Sequence, residues 1–69
     1  MRLKPVDSEM LQYVGYDAKQ KILEVVFNSG DRYQYLEVPA SVYEELMSAD
    51  SIGQYMRKHI IDHYDYRRV

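Results

Sequence analysis

The spacing of hydrophobic residues changes once along the chain, at Val38-Pro39, and this change sets the fold class. Before that point lie three β-rich segments, residues 10–16, 21–27 and 32–38, and the second and third alternate as half-buried strands do. After it, apolar residues recur every three to four positions, which is the period of an amphipathic helix. The sequence therefore predicts an α+β domain of order β-β-β-α-α. In it, a three-stranded antiparallel meander is followed by two helices packed on one of its faces.

The turn that ends in Gly30 decides which side chains of the meander share a face. A three-residue loop with Gly30 in the left-handed conformation pairs Val25 with Tyr33. The same loop pairs Leu23 with Tyr35 and collects the apolar side chains on one face. A four-residue loop would shift the pairing by one residue and move both tyrosines opposite the Val25 face. We favour the three-residue loop because it gives the cleaner core, with Tyr33 and Tyr35 beneath the helices as scaffold.

The other face of the meander is predicted to be open to solvent. It carries a mixed set of side chains: Ile22, Glu24, Val26, Arg32, Gln34 and Leu36. With the two central tyrosines on the opposite side, this face is expected to lack a stacking platform for nucleic-acid bases.

Two capping signals divide the helical part. Ser41 and Glu44 have the spacing of a capping box, with Pro39 in the first turn as the alternative start. Ser51 and Gln54 form a second such box and open a longer helix. The first helix is predicted to bury Val42, Tyr43, Leu46 and Met47, and the second Ile52, Met56, Ile60 and His63.

Size and composition exclude several classes of protein. The chain has 69 residues, which predicts a single domain over residues 1–69, and it has no cysteine for a disulfide or a thiolate metal site. A formal net charge of −2 argues against a strongly cationic nucleic-acid binder. No apolar run approaches the ~20 residues that cross a bilayer. The first five residues lack the apolar segment of a secretory signal, so a cytoplasmic location is predicted.

Catalytic and metal-binding patterns are weak in this sequence. His59 and His63 have the i, i+4 spacing of a shared metal on a helix, but no glutamate follows His59 and no third ligand is evident. No serine lies in a Gly-x-Ser-x-Gly turn, and the chain has no phosphate-binding glycine loop. The sequence thus predicts a protein that is not an enzyme and that uses no metal or cofactor.

Charge is unevenly distributed. Residues 1–53 carry five basic and nine acidic side chains, a net of −4, whereas residues 54–69 carry four basic and two acidic ones, a net of +2. Cations interleaved with tyrosines suit contact with phosphates and bases. The alternative is a solvated helix face whose late cations complement the helix dipole. The candidate binding surface consists of Arg57, Lys58, Ile61, Tyr64, Arg67 and Arg68.

Three motifs in this order resemble the KTSC domain, a family named after the C-terminal domain of some lysyl-tRNA synthetases. They are Val14-Gly15-Tyr16-Asp17, Tyr33-x-Tyr35-x-x-Val38-Pro39 and Ala49-x-Ser51-x-Gly53, and the resemblance spans about residues 8–67. It implies a small domain that also occurs alone in bacteria and phages, with a suggested RNA-binding role and no known catalytic residues. Tyr33, Tyr35, Ser51 and Gly53 carry over as structural hallmarks. This chain departs from the family at Arg57, where an asparagine is frequent, and at Ile61, where an arginine is frequent.

Two functional hypotheses follow. The first is a non-catalytic binding module for RNA, with tRNA implied by the family resemblance. The second is a protein-interaction module or accessory protein that binds no nucleic acid, resting on the net negative charge and on Ile61, Ile22 and Leu36 as candidate exposed apolar residues. The oligomeric state stays open.

Overall fold

A computed structural model describes residues 1–69. The strands are β1 Lys4–Pro5, β2 Leu11–Asp17, β3 Ile22–Phe27, β4 Arg32–Tyr35 and β5 Tyr66–Arg68; the helices are α1 Ala40–Ser48 and α2 Ile52–Tyr55, which continues into a π-helical turn, Met56–Ile60. All strand pairs are antiparallel, in the order β1-β2-β3-β4-β5. The α+β class is confirmed. The predicted three strands are too few, because a short strand lies at each edge of the meander.

The β3–β4 hairpin has the favoured register. Val25 pairs with Tyr33 and Leu23 with Tyr35. The Gly30 amide donates to the Phe27 carbonyl at 2.8 Å, and Gly30 has a φ of 97°, a conformation that only glycine adopts at little cost. The four-residue alternative is therefore wrong.

The core lies between one face of the sheet and the two helices. Its fully buried members are Leu11, Val14, Leu23, Val25, Tyr35, Val38, Leu46, Met56 and Ile60. Helix α1 begins with Pro39 as its N-cap residue, so the Ser41–Glu44 capping box is wrong and the alternative start near Pro39 is the better one. The apolar stripe of α1 is nevertheless as predicted, with Leu46 buried and its neighbours packed against the core.

The two hallmark tyrosines of β4 differ in burial. Tyr35 is 2% exposed, and burial, followed by the nearby Tyr33, Tyr66 and Asp62, raises its pKa to about 12. Tyr33 is half-buried and stacks on Tyr66 with ring centroids 5.0 Å apart and planes 8° from parallel. Tyr35 is thus the core residue that was predicted, whereas Tyr33 takes part of its cover from β5.

Contacts of Tyr16 join the sheet to the start of α1. The Tyr16 hydroxyl donates to the Val38 carbonyl at 2.5 Å, and the Tyr16 ring stacks on Tyr43 with centroids 5.0 Å apart. Burial and then Asp17 raise the pKa of Tyr16. These contacts fix the path of residues 36–39 between β4 and α1.

Candidate functional site

The predicted C-terminal helix ends at Ile60 instead of continuing through the basic end. The Ile61 amide donates to the Met56 carbonyl at 2.7 Å, which closes a π-helical turn. Ile61 is then extended and Asp62 has a φ of 68°, so the chain turns back and joins the sheet as β5. The prediction for Ile52, Met56 and Ile60 is confirmed, because all three pack on the core. The prediction for His63 is wrong, because it lies beyond the helix and is exposed.

This turn also removes the geometry on which a histidine pair would depend. His59 is on the π-helical turn, where its ring lies 4.6 Å from the Tyr55 ring, and His63 follows the reversal at Asp62. No three histidine, aspartate or glutamate side chains converge as a set that could hold a metal ion.

The six residues of the candidate binding surface do not form one surface. Arg57 and Lys58 lie exposed on the π-helical turn, and the two other cations lie on β5. Successive strand residues point to opposite faces. Arg68, opposite Tyr33, therefore lies on the helix-bearing face, and Arg67, opposite Gln34, lies on the open face.

The apolar and aromatic residues of the two functional hypotheses are partly or fully buried. Ile61 and Tyr64 are half-buried and pack against the core. Ile22 is buried and Leu36 is half-buried. The protein-interaction hypothesis therefore loses the exposed apolar residues on which it depended.

Replacing Ile61 with aspartate is expected to lower the free energy of unfolding by about 1–3 kcal/mol, because a carboxylate would replace an apolar side chain at the core. Thermal melting followed by circular dichroism measures the loss. The nearby exposed His63→Asp is the matched control and should melt like the wild type. If Ile61→Asp also melts unchanged, Ile61 is a free surface residue after all.

One of the four C-terminal cations is paired with a carboxylate, and a second lines a cleft to which acidic residues also contribute. The Arg68 guanidinium lies 2.5 Å from an Asp31 carboxylate oxygen. Arg57 lines a cleft of about 320 Å³ together with Asp7, Glu9 and Asp50. The Asp31 carboxylate offsets the positive charge of Arg68, so this arginine is poorly placed for phosphate.

Arg67 is held differently, in a chain of polar contacts across the open face. Its Nε donates to the Gln34 Oε1 at 2.7 Å, and the Gln34 Nε2 donates to the Glu24 Oε1 at 2.6 Å. The second oxygen of Glu24 lies 3.6 Å from the Arg32 guanidinium. No carboxylate lies within salt-bridge distance of Arg67. Its orientation is fixed by a neutral amide, so its charge is not cancelled by a partner.

Tyr13 is an exposed aromatic residue of the open face that the sequence reading missed. It pairs with Val26 and is 41% exposed. Strict alternation would place Tyr13 on the same face as the buried Leu11, but the pairing of β2 with β3 shifts between these two residues. This bulge turns Tyr13 away from the core. An irregularity of that kind has no signal in the local sequence.

The centre of the open face is also less exposed to solvent than predicted. Ile22, Glu24 and Val26 are each less than 10% exposed. Part of the cover comes from the N-terminal segment, which crosses the face at Gly15, so that a Cβ there would lie 2.8 Å from the Leu3 side chain. The polar residues Arg32 and Gln34 form the accessible part of the face, together with Arg67 and Tyr13.

The comparison with protein families agrees with the three sequence motifs. The model of the KTSC domain matches residues 7–64. The chain belongs to the KTSC domain family. No helix of this KTSC domain has the length and apolar character needed to cross a membrane.

Relatives of the KTSC domain include small proteins and parts of larger ones. An uncharacterised protein of Stutzerimonas stutzeri is 40% identical over 70 residues, which cover 100% of this chain and 99% of that protein. A lysine–tRNA ligase of Trichormus variabilis is 39% identical over 67 residues, which cover 97% of this chain and only 12% of the ligase. The crystal structure of a KTSC domain protein from Yersinia pestis has a TM-score of 0.97 and 32% identity, covering 99% of this chain and 96% of that one.

The hallmarks shared with the KTSC family have structural contacts in this chain. The Ser51 hydroxyl accepts a hydrogen bond from the Gln54 amide at 3.3 Å, as the second capping box predicted. Gly53 faces the Met10 side chain, with ordinary contact distances for an added Cβ. Tyr35 is in the core. Arg67 and Tyr13, two exposed residues of the open face, lie outside these hallmarks.

Proposed function

We propose that this KTSC domain is a small non-catalytic binding module whose ligand is RNA, with tRNA as the first candidate. The lysine–tRNA ligase relative supports tRNA, because a segment that matches nearly all of this chain forms part of an enzyme named for that substrate. The observation that carries the proposal is the Arg67 guanidinium, oriented by Gln34 and free of carboxylates. Preoriented arginines of this kind recognise phosphate oxygens.

The contacts of the potential nucleophiles support a non-catalytic role. The Ser8 and Ser51 hydroxyls accept from main-chain amides, and Ser48 donates to the carbonyls of its own helix. None of the serine hydroxyls is hydrogen-bonded to a histidine, so a serine–base pair is not assembled.

Binding of a transcript of a bacterial lysine tRNA, measured by fluorescence anisotropy, tests the proposal. We expect saturable binding that weakens between about 50 and 200 mM salt, because released counterions make log K fall linearly with log salt. The Arg57→Ala, Arg67→Ala double variant is expected to bind several-fold more weakly. If the wild-type chain shows no saturable binding at low salt, or if its binding does not depend on salt, the result would contradict an RNA ligand.

A further inference from the structure

We propose that the open face of the sheet binds single-stranded RNA, with Arg67 on a phosphate and Tyr13 stacked on a base. This inference rests on the proposed function and assigns it a site. It moves the contact surface away from the helical cations Arg57 and Lys58 and onto strands β2 to β5.

The strand register brings the required groups onto one face. Arg67 pairs with Gln34, and Gln34 pairs with Glu24, so these residues form one row across three strands. Arg32, Val26 and Tyr13 form the neighbouring row. With strands ~4.8 Å apart, the β2 and β5 positions are separated by about 14 Å. This span suits a few nucleotides in extended conformation, as on other sheets that bind single-stranded RNA.

Hydrogen bonding prepares Arg67 for an anion. A guanidinium has five N–H donors, and Gln34 uses only the one on Nε. The two Nη groups remain, and they form the planar fork that binds two phosphate oxygens at once. Glu24 accepts from the Gln34 amide nitrogen and so turns the amide oxygen towards Arg67. Less side-chain entropy is then lost when Arg67 binds its ligand.

The carboxylates of the open face have partners other than Arg67. Glu24 lies 3.6 Å from the Arg32 guanidinium and makes no salt bridge with Arg67. The other carboxylate among the open-face strand positions, Asp17, accepts from the Lys19 and Gln20 amides in the turn after β2. The open-face strand positions carry two arginines and two carboxylates, so the attraction for a phosphate is local to Arg67, which has no carboxylate partner.

Tyr13 selects single strands over duplexes. This residue is 41% exposed, on the face that carries Arg32 and Arg67. Unpaired bases stack on exposed aromatic rings, whereas the bases of a duplex are already stacked on each other. A sheet face with an exposed tyrosine and an oriented cation therefore fits an unpaired segment.

Two adjacent arginines provide a matched test. Arg67→Ala and Arg68→Ala make the same change in net charge, but Arg67 lies on the open face and Arg68 lies on the opposite face, paired with Asp31. The probe is a fluorescein-labelled oligouridine of about 12 nucleotides. We expect Arg67→Ala to raise Kd about tenfold and to reduce the salt slope by about one. Arg68→Ala should stay within about twofold, and Tyr13→Ala should raise Kd about tenfold.

The same experiment separates the site from the function. If Arg67→Ala and Arg68→Ala have equal effects on Kd, the open-face site is overturned. It is also overturned if the wild-type chain binds tRNA but not the oligouridine. In both cases the proposed RNA-binding function stands. Binding of neither RNA overturns both. Amide chemical-shift changes in the wild-type chain provide a second readout that needs no variant. Shifts at Tyr13, Arg32 and Arg67 are expected, and shifts confined to α1 would overturn the site.

Discussion

Replacing Tyr35 with alanine is expected to unfold the domain. Tyr35 is 2% exposed and belongs to the core cluster, and its ring lies 6.4 Å from the Tyr33 ring and 5.8 Å from the Tyr66 ring. Removing a buried aromatic side chain costs about 3–5 kcal/mol. A domain of this size has a free energy of unfolding of about 5 kcal/mol, so the loss is comparable with the whole. Urea unfolding followed by circular dichroism measures it.

Two controls make the result specific to burial at Tyr35. Tyr66→Ala removes a ring that is 57% exposed and should cost much less. Tyr35→Phe keeps the ring and removes the ionisable hydroxyl. The pKa of Tyr35 is raised to about 12 from an ordinary value near 10, so the folded state holds this proton more tightly than the unfolded state. The wild-type stability is therefore expected to fall as pH rises from about 10 to 12, and Tyr35→Phe should lack that part of the fall. A Tyr35→Ala variant that unfolds at the wild-type urea midpoint would contradict the buried assignment.

The second large effect is expected from Gly15→Val. A Cβ at Gly15 would lie 2.8 Å from the Leu3 side chain and 2.9 Å from the Arg2 carbonyl oxygen. The carbonyl is main chain, so the clash moves the N-terminal segment instead of one side-chain tip. Overpacking of this kind costs about 1–3 kcal/mol. We expect a lower urea midpoint and faster amide exchange around Gly15 and its partner Glu24, where the N-terminal segment lies on the sheet.

Gly53→Ala is the matched control for Gly15→Val. An added Cβ there lies 3.5 Å from Met10, which is ordinary van der Waals contact, and the position is helical. Alanine is favoured over glycine in helices by up to about 1 kcal/mol, so this variant should be as stable as the wild type or more so. If Gly15→Val also retains full stability, the N-terminal segment does not rest on the open face as described.

The fold was predictable where neighbouring residues decide it. The turn ending in Gly30 determines the β3–β4 register within a few residues. The spacing of the apolar residues of α1 identifies the face of that helix that is buried. Strand β5 is different, because Tyr66 pairs with a residue far away in the sequence, Tyr35. All three residues of β5 are exposed. Main-chain hydrogen bonds flank the strand: the Leu36 amide donates to the Asp65 carbonyl at 2.8 Å, and the Val69 amide donates to the Arg32 carbonyl at 2.9 Å. A short exposed edge strand shows no apolar alternation from which to predict it.

The candidate site was predictable in composition but not in arrangement. Arg67 and Arg68 were both expected at a binding surface because the C-terminal end is basic. Only the pairing of β5 with β4 reveals that Arg68 is neutralised by Asp31, whereas Arg67 is hydrogen-bonded to Gln34. Tyr13 was not expected, because the bulge beside it depends on how β2 fits against β3.

The β4 strand links the two sides of the sheet. Tyr33 and Tyr35 support β5 from the helix-bearing side, through the stacked Tyr66 ring, and Gln34 between them contacts Arg67 on the other side. Looser packing of the Tyr33, Tyr35 and Tyr66 rings would therefore shift the Arg67 guanidinium, although Arg67 lies on the opposite face of the sheet. In this way the family's tyrosine pair would influence ligand affinity at a distance, by controlling the alignment of the outermost strand.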